Sequence, residues 1–556
     1  MKIINLKYKI TGFVLPLLLL SSCELNSKLD TYLTDDMLAT QRYQMFDMGY
    51  KVYSNIPNGF SIIDNNLFAA VTDEAQYYTS YSATQRFNSG NWNTYYNPVD
   101  YYAKFYSGIY DANVYLEQSA DYVYILGRNR DTLTSAGRDS YHRDMVNVKR
   151  LRAEAHVLKA YYYFELFKRY GGVPIFDKVT QNYEQANLPR ASVDDVIAKI
   201  INEIDSVKGD LVENWAAVSL STLKGRITRG AALAIKSRAL LYAASPQFNN
   251  TGSVKKWEDA AAAANEIIDM GIYALNDSYR DLFITDETNT SVETIWSFRM
   301  GLTNDLEKKN YPIGTPGGST GICPSHNLVD AYEYKGTITS DIYKNRDPRF
   351  YSTVLKNGDT WNGRKLEIFP GGTDDPSNKN TSPTSYYLKK FLNDNLNLTT
   401  NAKQIRSWIL FRYGEILLNY AEAMNEAYGP DNNNGYSMTA REAINSLRLR
   451  ADVVMPPVNV NVGDKVAMRA AIKHERRIEL AFEDHRYWDL RRWNDAQSVL
   501  NEDIIGVNVS KNGADFTYTP VVVAKRVFVV PKMYLFPFPE VEIVKSKGIL
   551  VQNTDW

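Results

Sequence analysis

The chain has 556 residues, of which 44% are hydrophobic and 23% are charged, so it is not a mostly disordered protein. Its 63 basic and 64 acidic residues give a formal net charge of −1, which does not indicate bulk nucleic-acid binding. Two cysteines exclude a disulfide-stabilised scaffold, whereas 40 Tyr and 9 Trp beside 21 Phe suit a surface that binds partly polar ligands.

The N-terminus has the features of a secretion leader. Three lysines within the first nine residues precede an apolar run at residues 10–20, which is too short to span a membrane. This pattern predicts a signal peptide over residues 1–22. The run ends in the letters LSSC, which resemble the lipobox of bacterial lipoproteins and predict lipidation of Cys23, with residues 23–40 as a polar tether. The alternative is an ordinary secreted protein in which Cys23 occurs by chance.

Apolar residues recur at helical spacing along much of the mature chain. Gly171 and Gly172, followed by Pro174, are a typical signal for the end of the first long helix. The helices come in pairs joined by short turns, which indicates helical-repeat packing, although no strict 34-residue period is visible. We expect helices over residues 144–170, 228–244, 257–270, 408–427, 440–451, 467–482 and 487–500.

We divide the mature chain into an N-terminal half over residues 41–275 and a C-terminal half over residues 276–556. The C-terminal half begins with residues 276–402, where Gly, Pro, Asn, Thr and Ser become frequent and the helical period is lost. This composition predicts a long loop-rich insertion with short strands, such as one over residues 293–298. Loops of this length are usually functional. Beyond the insertion we expect helical repeats over residues 403–500 and a tail over residues 501–556.

Blocks of recognisable sequence run through the chain in a fixed order. The most specific is ERRIELAFE at residues 475–483, continued by HRYWDLRRW at residues 485–493. The other blocks are LRAEA at 151–155, AYYYFEL at 160–166, RYGGVP at 169–174, LLYAASP at 240–246, RDPRF at 346–350, RYGEILLNYAEA at 412–423, AINSLR at 443–448, PFPE at 537–540 and QN at 552–553. Together they resemble the SusD/RagB family of surface lipoproteins of Bacteroidetes, over nearly the whole mature chain.

The resemblance implies an all-α fold, in which four tetratricopeptide-type helix pairs form a scaffold with a loop-rich, irregular face. It implies a lipid-anchored protein on the surface of the outer membrane that captures oligosaccharides or, in some members, peptides. The ligand would pass to a SusC-like TonB-dependent transporter, over which the protein sits as a lid. The resemblance implies no enzymatic activity and no cofactor. Since the tether after Cys23 has no dense acidic run, surface exposure rests on the resemblance alone.

An aromatic stretch over residues 73–102 is the first candidate for a glycan-binding surface. Aromatic faces cover the apolar face of a sugar ring, while Asn, Asp and Arg side chains bond its hydroxyls. The family's glycan site draws on this part of the chain near Trp92, which is therefore the leading candidate. The alternative is that these aromatics pack the loop onto the helical body. The predicted ligand contacts are Asp73, Tyr77, Tyr81, Arg86, Trp92, Tyr95 and Asn97.

The insertion over residues 276–402 is the second candidate, and the resemblance implies ligand contacts from this half as well. We expect exposed aromatics at Tyr311, Tyr332 and Trp361, assisted by polar groups such as Asn327. The insertion also carries the adjacent carboxylates of residues 374–375. They could hold a calcium ion, but two acids without regular ligand spacing are usually a solvated turn.

Glu475 and Glu479 lie four residues apart in the most specific block. We expect them to form buried ion pairs with Arg476, Arg486 or Arg491 that fix helix packing, because buried charges are tolerated only when paired. A glycoside hydrolase also needs two facing carboxylates. The arginines beside Glu475 and Glu479 favour the structural interpretation over the catalytic one.

Other enzyme signatures are weak. Residues 317–321 match the letters G-x-S-x-G, but prolines on both sides predict a loop rather than the strand and helix of a nucleophile elbow. The five histidines show no metal-ligand spacing, and Cys323 is expected to be a thiol without a function. The predicted function is glycan capture. Peptide capture, a helical-repeat interaction scaffold and a secreted glycoside hydrolase are the alternatives.

Overall fold

The computed structural model describes residues 42–128, 130–215, 225–284 and 291–556. The predicted signal peptide, Cys23 and the tether lie outside these residues. The protein is mostly helical, with 44% helix and 11% strand, in agreement with the predicted all-α scaffold. Within the described part of the chain, no helix is long and apolar enough to cross a membrane.

Several helices begin or end where the sequence supplies a capping group. Thr134 accepts a hydrogen bond from the N–H of Gly137 at the start of the longest helix, and Gly171, with φ +75°, follows its end. Ser192 and Thr439 each form a capping box with the acidic residue three positions later. The α-helices are α1 (Arg42–Lys51), α2 (Ala83–Asn88), α3 (Tyr102–Gln118), α4 (Tyr122–Gly127), α5 (Ser135–Tyr170), α6 (Tyr183–Ala186), α7 (Val193–Asp205), α8 (Arg229–Ala244), α9 (Val254–Ile268), α10 (Asp281–Ile284), α11 (Asp305–Asn310), α12 (His326–Ala331), α13 (Pro348–Thr353), α14 (Tyr413–Tyr428), α15 (Ala440–Arg448), α16 (Lys465–Glu479), α17 (Arg486–Arg492), α18 (Ala496–Val499) and α19 (Glu540–Lys545).

The long helices pack in sequence, as expected for helical repeats. Helix α3 packs on α5, α5 on α7, α7 on α8 and α8 on α9. Helix α9 then packs on α14, which also contacts α15 and α16. One large hydrophobic cluster runs through this series and includes Leu158, Phe164, Ile235 and Met424, all fully buried. The helices therefore stack into one continuous layer, consistent with the predicted tetratricopeptide-like scaffold.

Strands occur only as antiparallel pairs among the described residues. Ser297 pairs with Ile409 in a strand pair whose register shifts at three points, and Tyr77 pairs with Ile322 beside the aromatic stretch. The pairs are β1 (Ala75–Tyr77) with β3 (Ile322–Pro324), β2 (Thr294–Thr303) with β8 (Gln404–Arg412), β4 (Val354–Leu355) with β7 (Tyr387–Leu388), β5 (Thr360–Trp361) with β6 (Arg364–Lys365), and β9 (Ile504–Asn512) with β10 (Asp515–Ala524).

Two predicted helices are partly wrong. Residues 487–500, predicted as one helix, form the two short helices α17 and α18, with Asn494 at φ +63° between them. The other prediction began a helix at residue 408, but residues up to Arg412 belong to strand β8, and helix α14 begins at Tyr413. The letters QIRSWILFR are rich in β-branched and aromatic residues, which favour a strand. A short apolar run of this kind cannot be distinguished from a helix by periodicity alone.

The insertion over residues 276–402 folds around a second hydrophobic cluster, which it shares with other parts of the chain. Tyr332, Phe350, Trp361 and Leu388 are fully buried within it. Strand β8 and the 453–482 region also contribute to this cluster, so the insertion is fastened to the helical layer. Many aromatic side chains of the loop-rich half are thus used for packing.

Candidate functional site

The 77–97 segment, which contains α2 and the loops on either side of it, carries the most exposed aromatic side chains of the predicted site. Tyr81 is 93% exposed and Tyr95 is 82% exposed. The Tyr77 and Tyr78 rings, both half-buried, meet edge to face at 5.2 Å between centroids. Aromatic rings that remain in water are available to cover the apolar face of a ligand.

Hydrogen bonds fix the first half of the 77–97 segment. The Asp64 carboxylate accepts bonds from the backbone N–H groups of Ala83 and Thr84 at the start of α2. The Gln85 side-chain amide donates to the backbone oxygens of Tyr77 and Thr79, at 3.2 and 3.1 Å. The loop that carries Tyr81 is therefore tied to the helix that follows it.

The second half of the segment is organised around Asn93. Its side-chain oxygen accepts bonds from the backbone N–H groups of Tyr95 and Tyr96, at 2.9 and 3.1 Å. The exposed Arg86 guanidinium stacks on the Tyr96 ring at 3.8 Å from its centroid. This cation–π contact holds the exposed, planar guanidinium against the Tyr96 ring. Asn97 instead holds the loop, because its side-chain oxygen accepts the N–H of Val99.

Trp92, the leading predicted contact, is only 3% exposed. Its ring stacks on Phe87 at 4.9 Å with an angle of 8° between the planes, and packs against Phe536 and Trp556. The prediction that Trp92 forms an exposed sugar platform is not met, because aromatic side chains from the C-terminus cover it. Trp92 fastens the aromatic segment to the helical core.

Asp73 is also buried, and it is used for an ion pair. Its carboxylate lies 2.6 Å from Arg477 and 2.8 Å from Arg486. Burial alone would raise the pKa of Asp73, but Arg486 and Arg477 outweigh it and hold the pKa well below its usual range. For the adjacent Glu74, burial and the Asp73 charge together raise the pKa to about 8. Asp73 therefore joins β1 to the most specific sequence block instead of facing a ligand.

The aromatic candidates of the insertion are core residues. Tyr311, Tyr332 and Trp361 are fully buried, and the Tyr311 and Trp361 rings meet edge to face at 5.3 Å. The Tyr311 hydroxyl donates to the backbone oxygen of Asn393. Asn327 exchanges hydrogen bonds with the backbone of residues 503–505. Because these side chains are buried, they cannot contact a ligand in this structure. The predicted ligand contacts at Tyr311 and Trp361 are therefore wrong.

The carboxylates of residues 374–375 are not a solvated turn. Asp374 is fully buried and receives a two-pronged ion pair from Arg364, at 2.7 and 2.6 Å. Asp375 accepts bonds from the backbone of Gly371 and from Ser377. Over the described ranges, no group of three or more His, Cys, Asp or Glu side chains is placed to hold a metal ion.

Glu475 and Glu479 are buried and ion-paired, as predicted, but with different arginines. Glu475 contacts Arg349 at 2.5 Å and Arg448 at 2.8 Å. Glu479 contacts Arg349 and Arg412 at 2.8 Å and Arg450 at 2.7 Å. Burial would raise the pKa of Glu479, but these guanidinium groups hold it far below its usual range. Two fully ion-paired carboxylates are poor candidates for the acid and nucleophile of a glycosidase.

The arginines predicted as partners make other contacts. Arg476 pairs with Asp489 at 2.7 Å and Arg486 pairs with Asp73, while the Nε of Arg491 donates to the backbone oxygen of Tyr534 at 2.7 Å.

Residues 317–321 form a loop that leads into β3, so the strand–turn–helix of a nucleophile elbow is not present there. Cys323 is a buried free thiol whose pKa burial raises to about 12, as suits an inert side chain.

A cleft beside α3 was not predicted from the sequence. It has a volume of about 750 Å³ and is lined by residues of α3, the 174–188 segment and the 542–550 region. Three tyrosines at four-residue intervals, Tyr102, Tyr106 and Tyr110, form one of its walls. The spacing of these tyrosines was visible in the sequence, but part of the opposite wall comes from residues 542–550, more than 400 residues away.

Comparisons with known proteins point to one family. Residues 284–556 match a family model described as "SusD family", and residues 28–241 match one described as "Starch-binding associating with outer membrane". SusD-like protein P38 of Formosa agariphila is 28% identical over 371 residues, which are 62% of this chain and 67% of that protein.

Solved structures share the fold along almost the entire chain. A SusD-like protein from Bacteroides fragilis superposes with a TM-score of 0.76 and 25% identity, over 94% of this chain and 99% of that protein. A SusD-like carbohydrate-binding protein from the same species gives a TM-score of 0.73 and 23% identity, over 92% and 99% of the two chains. The whole helical layer and its loop-rich face therefore belong to one known architecture.

Proposed function

Because this chain belongs to the SusD/RagB family, we propose that it is a non-catalytic, lipid-anchored protein of the outer membrane that binds an oligosaccharide. It delivers the bound ligand to a partner SusC-like TonB-dependent transporter. The family model associated with starch binding and the outer membrane, and the carbohydrate-binding structural relative, support this assignment. Lipidation at Cys23 would hold the protein at the membrane surface.

The proposal rests mainly on the exposed side chains of the 77–97 segment. Tyr81 and Tyr95 place two aromatic rings in water, and Arg86, stacked on Tyr96, adds a fixed set of hydrogen-bond donors. Large aromatic side chains left so exposed contribute little to folding, so a binding role accounts for them best. Rings beside polar donors match the apolar face and hydroxyl rim of a sugar.

The non-catalytic part of the proposal rests on the carboxylates. A retaining or inverting glycosidase needs two carboxyl groups facing a substrate cleft, roughly 5 to 10 Å apart. The Glu475 and Glu479 pair nominated by the sequence instead lies in a buried cluster with Arg349, Arg412 and Arg450. These ion pairs join helix α13 of the insertion to helix α16 and to strand β8, so the fold accounts for both carboxylates.

Binding measurements with matched variants test the proposed site. The full chain would be purified in mild detergent and run through affinity gels that contain amylopectin, laminarin, xylan or pectin. For a polysaccharide that retards the chain, we expect Tyr81→Ala or Tyr95→Ala to weaken binding about tenfold or more, as for a buried aromatic anchor. Tyr124→Ala is the control, because Tyr124 is 59% exposed on α4, outside the segment. Equal retardation of all the variants would disprove the site.

A further inference from the structure

The cleft beside α3 has the dimensions of a ligand site. Its volume of about 750 Å³ falls within the range of small-molecule pockets, roughly 300–1,000 Å³. One wall is α3 with the end of α1, and the other combines the 174–188 segment with residues 542–550. The described residues that line the cleft all lie outside the 77–97 segment.

Three tyrosines form a ladder along the α3 wall. Tyr102, Tyr106 and Tyr110 follow one another at four-residue intervals, so they share one face of the helix. Four residues advance a helix by about 6 Å, which is comparable with the length of one sugar ring. Tyr102 is nearly buried, Tyr106 is half-buried and Tyr110 is 37% exposed, so the ladder runs from the floor of the cleft to its mouth.

The rings of this ladder are held in place without a ligand. The Tyr106 hydroxyl donates to the backbone oxygen of Pro174 at 2.8 Å, and its ring meets Phe176 edge to face at 5.5 Å. Tyr102 lies 4.7 Å from Tyr106 and packs edge to face on Phe538. A surface that is already ordered loses little conformational entropy when a ligand binds.

The polar groups of the cleft are suited to hydroxyl groups. Ser54, Asn55, Ser107 and Asn187 line it, together with Asn113. The Asn113 side chain is 2% exposed, and its amide donates to the backbone oxygen of Phe176 at 3.0 Å. Its side-chain oxygen is buried without a hydrogen-bond partner among the described residues. Amides and hydroxyls both donate and accept hydrogen bonds, as sugar hydroxyls do.

The charges in the cleft largely cancel. Lys51 pairs with Asp111 at 2.8 Å, and Lys545 pairs with Glu542 at 2.9 Å. Both acids therefore face lysines of the same cleft, and Lys178, an exposed side chain, is the remaining charged residue among the described lining residues. A cleft with aromatic faces and neutral polar groups favours an uncharged ligand over a uronate or a phosphate.

We infer that this cleft is a second oligosaccharide-binding site, separate from the 77–97 segment, which takes a neutral saccharide along the Tyr102–Tyr106–Tyr110 ladder. Two sites on one chain would raise the apparent affinity for a long polysaccharide, since the second contact becomes intramolecular. The inference goes beyond the proposed function, because that function requires only the 77–97 segment.

Filling the cleft tests the inference. Ser107 is exposed on α3 between Tyr106 and Tyr110, so Ser107→Trp would occupy the cleft. The control is Tyr124→Trp, which places the same ring at an exposed position on α4, outside the cleft. Ala103→Trp, one turn earlier at an exposed position, is a second blocking variant in case the first does not fold. The probes are maltoheptaose, laminariheptaose, cellohexaose and xylohexaose, with tetragalacturonate as the charged comparison, titrated calorimetrically into the full chain.

We expect at least one neutral probe to bind, with a tenfold or greater loss of affinity in the blocking variant and none in Tyr124→Trp. Hydrogen exchange should slow in residues 174–188 and 540–550 when that probe is bound. Slowing confined to residues 77–97, with unchanged affinity in Ser107→Trp, would overturn the inference and leave the proposed function standing. Failure of every neutral probe, or binding of tetragalacturonate alone, would also overturn it.

Discussion

Replacing Trp92 by alanine separates a packing role from a ligand-binding role. The Trp92 ring contacts Phe87, Phe536 and Trp556 at centroid distances of 4.9, 5.3 and 4.6 Å, and the side chain is 3% exposed. Removing a buried tryptophan creates a cavity and costs about 3–5 kcal/mol. Spread over a chain of this length, that loss lowers Tm by roughly 3–4 °C. Tyr95→Ala, which removes an exposed ring, should change stability by less than about 0.5 kcal/mol.

The assay is a thermal scan of both variants, followed by affinity electrophoresis at a temperature where each is folded. We predict that Trp92→Ala melts early but, while folded, retains most of its binding, whereas Tyr95→Ala keeps its Tm and loses binding. If Trp92→Ala retained the wild-type Tm and lost binding completely, the conclusion that Trp92 is a core residue would be refuted. The sequence interpretation of Trp92 as a sugar platform would then stand.

Two further predictions concern buried carboxylates. Burial and the Asp73 charge raise the pKa of Glu74 to about 8 in the folded protein. Because the folded pKa exceeds the unfolded pKa, the contribution of Glu74 to stability is greatest below about pH 4.5 and is lost as the pH rises toward 8. Glu74→Gln should therefore stabilise the protein by on the order of 5 kcal/mol at pH 9 and change its stability little at pH 5. Thermal scans at both pH values measure this difference, and equal changes of Tm at the two pH values would contradict it. Glu479→Gln leaves three arginines without their shared carboxylate and should lower the free energy of unfolding by about 3–5 kcal/mol, measured in denaturant. Glu502→Gln is the control and should change the free energy of unfolding very little, because Glu502 is exposed. Similar denaturant midpoints for Glu479→Gln and Glu502→Gln would refute the structural role of Glu479.

Much of the helical scaffold could be predicted because its signals are local. Helix α5 ends at Tyr170 as the Gly171 and Pro174 signals predict, and α8 and α15 follow their apolar periodicity closely. Residues 408–412 of strand β8 were predicted as helix, because their short apolar run is compatible with both structures. The prediction failed here because strand propensity and pairing with β2, rather than apolar periodicity, determine the secondary structure of these residues.

The binding site could be predicted only in part, because exposure depends on distant residues. The sequence grouped Tyr81, Tyr95 and Trp92 together, yet Trp92 is covered by rings that follow it by more than 440 residues. The partners of Glu479 were placed among neighbouring arginines, but Arg349 lies 130 positions earlier in the chain. Contacts of this kind depend on the packed tertiary structure, and no local pattern encodes them.

Affinity electrophoresis of the full chain, with reducing-sugar release assayed on the same polysaccharides, tests the central claim most directly. We predict that at least one polysaccharide retards the chain and that none releases reducing sugar during prolonged incubation. Release of sugar would contradict the non-catalytic function. Absence of retardation by every polysaccharide would contradict glycan capture and favour a peptide ligand instead.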